Sequence, residues 1–183
     1  MAIAVAQAGL RLIEITWNSH CPADLVRELT TALPDCEIGA GTVLTEIQVA
    51  EAIAAGAKFL FTPHTNPLLI QQATVSGIPM IPGALTPTEI VTAWQAGAAS
   101  VKVFPIHLMG GADYLKSLRS PLGYIPLIPT GGVTIENARA LLDAGAIAVG
   151  LSSDLFPKEA IAAEQWHLVT QRATSLMQQL GIS

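Results

Sequence analysis

Lys102 lies inside ASVKVFPIHLMGG, residues 99–111, an apolar and β-branched run with the composition of a buried strand. A buried ammonium group is costly unless it finds a partner or gives up its proton. Of the four lysines, Lys58 starts an apolar run, Lys116 falls in a stretch of helical spacing, and Lys158 follows a proline in a loop. Those three read as solvated. A second ionisable side chain, Glu14, sits in mid-strand within LRLIEIT. The two-residue period of a strand places Leu12, Glu14 and Thr16 on one face.

Two readings of this pair are open. Glu14 and Lys102 could form a salt bridge that fills the interior, although buried pairs seldom improve on apolar packing. Alternatively, Lys102 is a nucleophile and Glu14 its proton carrier. A lysine in water, with a pKa near 10.4, is neutral in only about one part in a few thousand at pH 7. Apolar walls disfavour the ammonium and expose the lone pair. The amine then condenses with a ketone, and the iminium formed is an electron sink for carbon–carbon cleavage without a metal. Such chemistry needs an adjacent acid/base, and Glu14 is the candidate.

The elements that position these groups are announced by a recurring phrase: alanine or serine, then glycine, then a β-rich run. It occurs as Ala8-Gly9, Ala55-Gly56, Ser76-Gly77, Ala96-Gly97 and Ala144-Gly145, each after a stretch of helical spacing. Glycine just past a helix is the left-handed cap, and the next run is a strand. CEIGAGTV and YIPLIPTGG supply two further strands, making seven that alternate with helices. This is the pattern of parallel βαβ repeats, an open doubly wound sheet or a barrel. Inward polar residues and Pro/Gly kinks at the strand ends favour the barrel. The expectation is an α/β chain, a TIM (β/α)8-type barrel lacking its first N-terminal strand, forming one domain over residues 1–183. Met1 to Ala8 reads as the tail of a helix.

In such barrels the chemistry lies at the C-terminal ends of the strands. The residues there are Thr42 after Gly41, Pro63 after Thr62, Phe104 before Pro105, Thr130-Gly131-Gly132, and Ser152-Ser153 after Leu151. Loops after the last two strands form the common phosphate site of this fold. Glycine lets backbone N–H groups approach an anion closely, and a helix N-terminus behind them adds its dipole. Gly131, Gly132, Ser152 and Ser153 are therefore the phosphate-binding candidates, with Thr134 or Asn137 as caps of the following helix. Pro63 and Thr130 are candidates for contact with the rest of the substrate.

The bulk composition narrows the class. With 51% apolar and 13% charged residues, much of the chain must be buried. The net charge of -5 and the lack of a basic run argue against nucleic acid. No signal peptide or 18-residue apolar span is present, which argues against a membrane role. Cys21 and Cys36 read as reduced thiols of a cytoplasmic protein. His20, His64 and His107 fall just past strand ends but lack ligand spacing, so no metal and no cofactor is expected.

IEIT, GAGTVL, IPGALTPTE, VKVFP, PTGGV and GLSSDLF, in that order, resemble the 2-keto-3-deoxy-6-phosphogluconate and 4-hydroxy-2-oxoglutarate aldolases, including their phosphogalactonate branch. The resemblance spans nearly the whole chain. It implies a class I lyase in which Lys102 forms the Schiff base with pyruvate and Glu14 shuttles protons. It further implies that Thr42 contacts the pyruvyl part, Phe104 walls the site, and Gly131, Gly132, Ser152 and Ser153 hold the phosphate. Family members are typically trimers, so a homotrimer is expected. Many carry an arginine after the glutamate motif; here that stretch reads Thr16-Trp17-Asn18, and Asn18 supplies no charge. Trp17 and His107 are expected at the mouth.

The substrate expected is a phosphorylated 2-keto-3-deoxy sugar acid, cleaved to pyruvate and glyceraldehyde 3-phosphate. Two alternatives are a phosphosugar-acid binding protein that does not turn over, and an oxaloacetate decarboxylase using the same enamine chemistry.

Overall fold

The computed structural model describes residues 1–181. A short helix, α1 (Ala2–Gln7), leads into β1 (Leu12–Thr16). Helix α2 (Pro22–Ala32) and β2 (Glu37–Gly41) follow, then α3 (Glu46–Ala54) and β3 (Leu60–Phe61), then α4 (Pro67–Val75). Strands β4 (Met80–Ile81) and β5 (Gly83–Ala84) flank Pro82. Helix α5 (Pro87–Gln95), β6 (Val101–Val103), α6 (Ala112–Leu122), β7 (Leu127–Pro129) and α7 (Ile135–Asp143) continue the alternation. Helices α8 (Lys158–Ala162) and α9 (Trp166–Leu180) end it.

The helix–glycine–strand phrase folds as its chemistry requires. Gly56 and Gly97 follow α3 and α5 with φ of 96° and 99°, a conformation that side-chain-bearing residues rarely adopt. At the other end of each unit, Thr45, Asn66, Thr86 and Thr134 cap α3, α4, α5 and α7 by accepting a backbone N–H. These caps follow the strand C-termini, so the positive helix ends surround that rim.

Every strand pairing is parallel. The strands run in chain order, β1-β2-β3-β4 and then β5-β6-β7. The expected single strand IPMIPGA is two, because Pro82 has no N–H to continue the ladder. Its carbonyl still accepts from Lys102 N at 2.9 Å, which keeps β4 and β5 on one course. The run AIAVGLSS was expected as a strand and makes only one bridge, Gly150 to Thr130. Its donors Ile147 and Gly150 reach Leu127 and Pro129. Three residues thus step past two, a bulge that breaks the ladder. Among the described residues, β1 pairs on one side only and no pairing joins it to this last segment.

Side chains pointing outward from the strands meet the helices. Ile38, Ala40, Leu60, Val101, Val103 and Leu127 are fully enclosed there with Val26, Val49, Ile90 and Leu141. Helix α9 is tied to α1 by the Thr170 hydroxyl, which donates to Ala4 O at 3.0 Å. The inward side of the strands is where the polar groups gather.

Candidate active site

Lys102 is the centre of β6, between Val101 and Val103, and only 8% of its surface is exposed. The valines point out to the helices and the lysine points in. Its Nζ lies 5.0 Å from the ring centroid of Phe104 and 5.4 Å from that of Phe61. Among the described residues the amine has no ion-pair or hydrogen-bond partner. It is not sealed off either, since the one enclosed unpartnered side-chain atom among the described residues is Gln72 Oε1. Burial holds the Lys102 pKa below the ordinary lysine range, partly opposed by the Glu14 carboxylate.

Glu14 is half-buried in the middle of β1. Its carboxyl group crosses over Gly41 of β2, where a Cβ would sit 1.5 Å from Oε1. Burial raises its pKa, partly opposed by Lys102. The two groups thus influence one another, yet the four ion pairs of the described residues do not include them. The interior salt bridge considered from sequence is not formed. What is present is a poorly solvated amine, two aromatic faces and a carboxyl group, with Gly41 leaving the space between strands clear.

This arrangement suits iminium chemistry. Desolvation favours the neutral amine that attacks a carbonyl. The ring faces favour a cation, which the iminium remains. Glu14, with a raised pKa, can both accept and return a proton.

The other candidates ring this core. Thr42 follows Gly41 with φ 56°, and Val43 N donates to Phe61 O at 3.3 Å, which fixes it beside the aromatic wall. The Pro63 backbone lies where a Cβ of Gly83 would be, 2.3 Å from its carbonyl carbon. Phe104 connects the lysine to the next loop, because a Cβ on Gly131 would lie 2.9 Å from its ring. Thr130 spans β6 and the following turn: its N donates to Val103 O at 3.0 Å and its O accepts from Ile106 N at 2.9 Å. Gly131 and Gly132 have φ of 83° and 81°. Ser152 and Ser153 are exposed at the start of the next turn, which the Thr130–Gly150 bridge brings alongside.

Some expectations are corrected. Trp17 is 8% exposed and packs in the core, so it does not shape the mouth. It follows β1 directly and its N donates to Gly41 O at 2.7 Å, which continues the ladder. His107 packs on the Gly131-Gly132 turn, with Nδ1 3.0 Å from Gly131 O and its ring against Gly132. Among the described residues no three His, Cys, Asp or Glu side chains gather as a metal site would need. A cleft of about 560 Å³ between α7, α8 and α9 contains neither Lys102 nor Glu14. Phe61 was overlooked in the sequence. Its signal was the alternation Phe59-Leu60-Phe61 just before Thr62-Pro63, which puts two rings on the inward face.

The aldolase family profile described as KDPG and KHG aldolase matches residues 1–172. The 2-dehydro-3-deoxy-phosphogluconate aldolase of Dickeya dadantii (strain 3937) is 34% identical over 173 residues, which cover 94% of this chain and 81% of that protein. The native KDPGal structure superposes with a TM-score of 0.90 at 34% identity, over 97% of this chain and 85% of that one. The KDPG aldolase of Legionella pneumophila, solved with pyruvate captured at low pH as a covalent carbinolamine intermediate, gives 0.88 at 31% identity over 96% and 85%. The barrel type expected from the strand repeat is the type these similar structures share.

Proposed function

We propose that this chain, which belongs to the KDPG and KHG aldolase family, cleaves 2-keto-3-deoxy-6-phosphogluconate or a closely related phosphorylated keto-deoxy sugar acid through a Schiff base on Lys102. The products are pyruvate and glyceraldehyde 3-phosphate. The observation that carries this reading is the Lys102 amine itself. It is buried, without an ion-pair or hydrogen-bond partner among the described residues, flanked by two rings and within the electrostatic influence of Glu14.

The neutral Nζ attacks the C2 ketone, and the carbinolamine loses water to give the iminium. Glu14 takes the proton from the C4 hydroxyl. The C3–C4 bond breaks, its electron pair moves into the iminium to form an enamine, and the aldehyde leaves. Glu14 returns the proton to C3, and water releases pyruvate from the lysine. Thr42 and Phe104 would hold and wall the pyruvyl part, with Pro63 and Thr130 beside it. Gly131, Gly132, Ser152 and Ser153 would take the phosphate, with the positive end of α7 behind the glycine pair.

The assembly proposed is a homotrimer in the cytoplasm. Exposed Ile47 and Leu68, in the first turns of the adjacent helices α3 and α4, support self-association. Two unpaired cysteines support a reducing compartment. Sedimentation of the purified chain tests the trimer.

The activity is tested by supplying the phosphorylated keto-deoxy acid and following pyruvate release through lactate dehydrogenase. The native protein should release pyruvate and Lys102→Ala should release none. Turnover retained in Lys102→Ala, or absent in the native protein, would overturn the assignment.

A further inference from the structure

Asp154 lies in the turn directly after Ser152-Ser153, and its side chain is 21% exposed. Its Oδ2 accepts from Ile135 N at 2.9 Å. Ile135 is the first residue of α7, directly after its cap Thr134 and two positions beyond the Gly131-Gly132-Val133 turn. One carboxylate therefore joins the loop after β7 to the turn that follows the Gly150 bridge. From behind, Arg172 of α9 grips the same residue twice. Its Nη2 lies 2.7 Å from Asp154 Oδ1, and its Nε donates to the Asp154 carbonyl oxygen. The other three ion pairs of the described residues lie three or four positions apart on exposed helix surfaces, with no loop to hold. Such exposed pairs contribute little, whereas a two-point guanidinium grip fixes geometry.

We infer that Asp154 and Arg172 are positioning residues that set the two loops at the spacing a phosphate group requires, and so determine affinity for phosphorylated substrates. This rests on the proposed reading of Gly131, Gly132, Ser152 and Ser153 as the phosphate-facing residues. Neither Asp154 nor Arg172 needs to touch the ligand. Backbone N–H groups can converge on an anion only when both loops are held in register, and the carboxylate is the direct side-chain link between them. Lys102 belongs to β6, and none of the hydrogen bonds made by Asp154 and Arg172 reaches its amine.

The test uses the full chain and its Asp154→Ala, Asp154→Asn, Arg172→Ala and Arg172→Lys variants. Three quantities are measured: steady-state cleavage of the phosphorylated keto-deoxy acid, inhibition by inorganic phosphate, and the rate of pyruvate trapping by borohydride. Loss of charge-assisted hydrogen bonds predicts a KM and a phosphate inhibition constant each raised about tenfold in the alanine variants. The kcat and the pyruvate trapping rate should stay within about twofold. Arg172→Lys, which keeps the charge and one donor, should recover part of the loss. The double alanine variant should be no worse than the worse single one, because the two residues act as one unit. Should either alanine variant fail to fold, Asp154→Asn and Arg172→Lys carry the same comparison.

Phosphate inhibition that the variants retain unchanged would overturn this inference alone. So would kcat and pyruvate trapping that fall together with affinity, the mark of general damage. A native protein that cleaves its substrate but is not inhibited by phosphate would overturn the reading of the loops, and this inference with it.

Discussion

The carboxyl group of Glu14 occupies the space that a side chain at Gly41 would fill: a Cβ there would lie 1.5 Å from Oε1 and 2.3 Å from Cδ. Glycine at the inward end of β2 is thus a condition for a carboxylate from β1 to lean over the interior. The Gly41→Ala variant should displace Glu14 while leaving Lys102, on a distant strand, in place. Loss of an acid/base contribution predicts turnover lower by about 10²–10⁴-fold. Pyruvate trapping on the lysine should persist. Normal turnover in a folded Gly41→Ala protein would show that Glu14 needs no such position.

The coupling between Glu14 and Lys102 gives a pH signature. Glu14 as carboxylate holds the Lys102 pKa up against burial, which lowers it. In Glu14→Gln that support is lost, and the Lys102 pKa falls further. The neutral amine is then present at lower pH, so the profile of borohydride-trapped pyruvate should extend to lower pH than in the native protein. A profile displaced to higher pH would mean that the two groups are not coupled in this way.

Lys102 should cost the fold stability. Its native pKa is lowered by burial, so between the native and unfolded values the unfolded chain binds more protons. Its contribution to stability is present above the unfolded pKa and is lost as pH falls through the native one. At neutral pH, below the unfolded value, at least part has gone. Lys102→Met, of similar shape and without charge, should therefore be more stable by about 1 kcal/mol, a Tm rise of about 2–4 °C for a chain of this size. It should also lack turnover. A lower Tm by calorimetry at neutral pH would contradict the cost assigned to the amine.

Gly131 combines a φ of 83° with a position where a Cβ would lie 2.9 Å from the Phe104 ring and 3.0 Å from the Pro105 backbone. Gly131→Ala should lose about 1–3 kcal/mol from the strained backbone. The ring should also shift away from the lysine. Urea unfolding measures the first effect and pyruvate trapping the second; an unchanged midpoint would show that the loop can relax.

How much of this was legible in the sequence follows from the range of each signal. The helix–glycine–strand phrase is local, acting over a few residues, and it located β1, β3, β4 and β6 and the ends of α1, α3, α4, α5 and α7, while the run after Ala144-Gly145 makes only a bridge. Lys102 and Glu14 stood out because a charge in an apolar strand is a local contradiction. The split at Pro82 was visible as a proline and could have been read from its missing N–H. The bulge between Ile147 and Gly150 depends on register against β7, which no local pattern specifies. Phe61 matters only through the lysine that faces it from another strand. The same holds for Asp154 and Arg172, whose pairing depends on where α9 lies against the turn after Ser152-Ser153. Trp17 was misplaced because the chain after β1 continues the ladder for one more residue and turns the ring into the core.

The whole mechanism requires that the buried amine of Lys102 form a covalent bond to the keto acid. Incubating the chain with pyruvate, reducing with borohydride and mapping the peptides by mass spectrometry tests it directly. One reduced pyruvyl group per chain is expected, on the peptide that contains Lys102 and on no other lysine peptide. An unmodified Lys102 peptide at saturating pyruvate, or modification of Lys58, Lys116 or Lys158 instead, would contradict it.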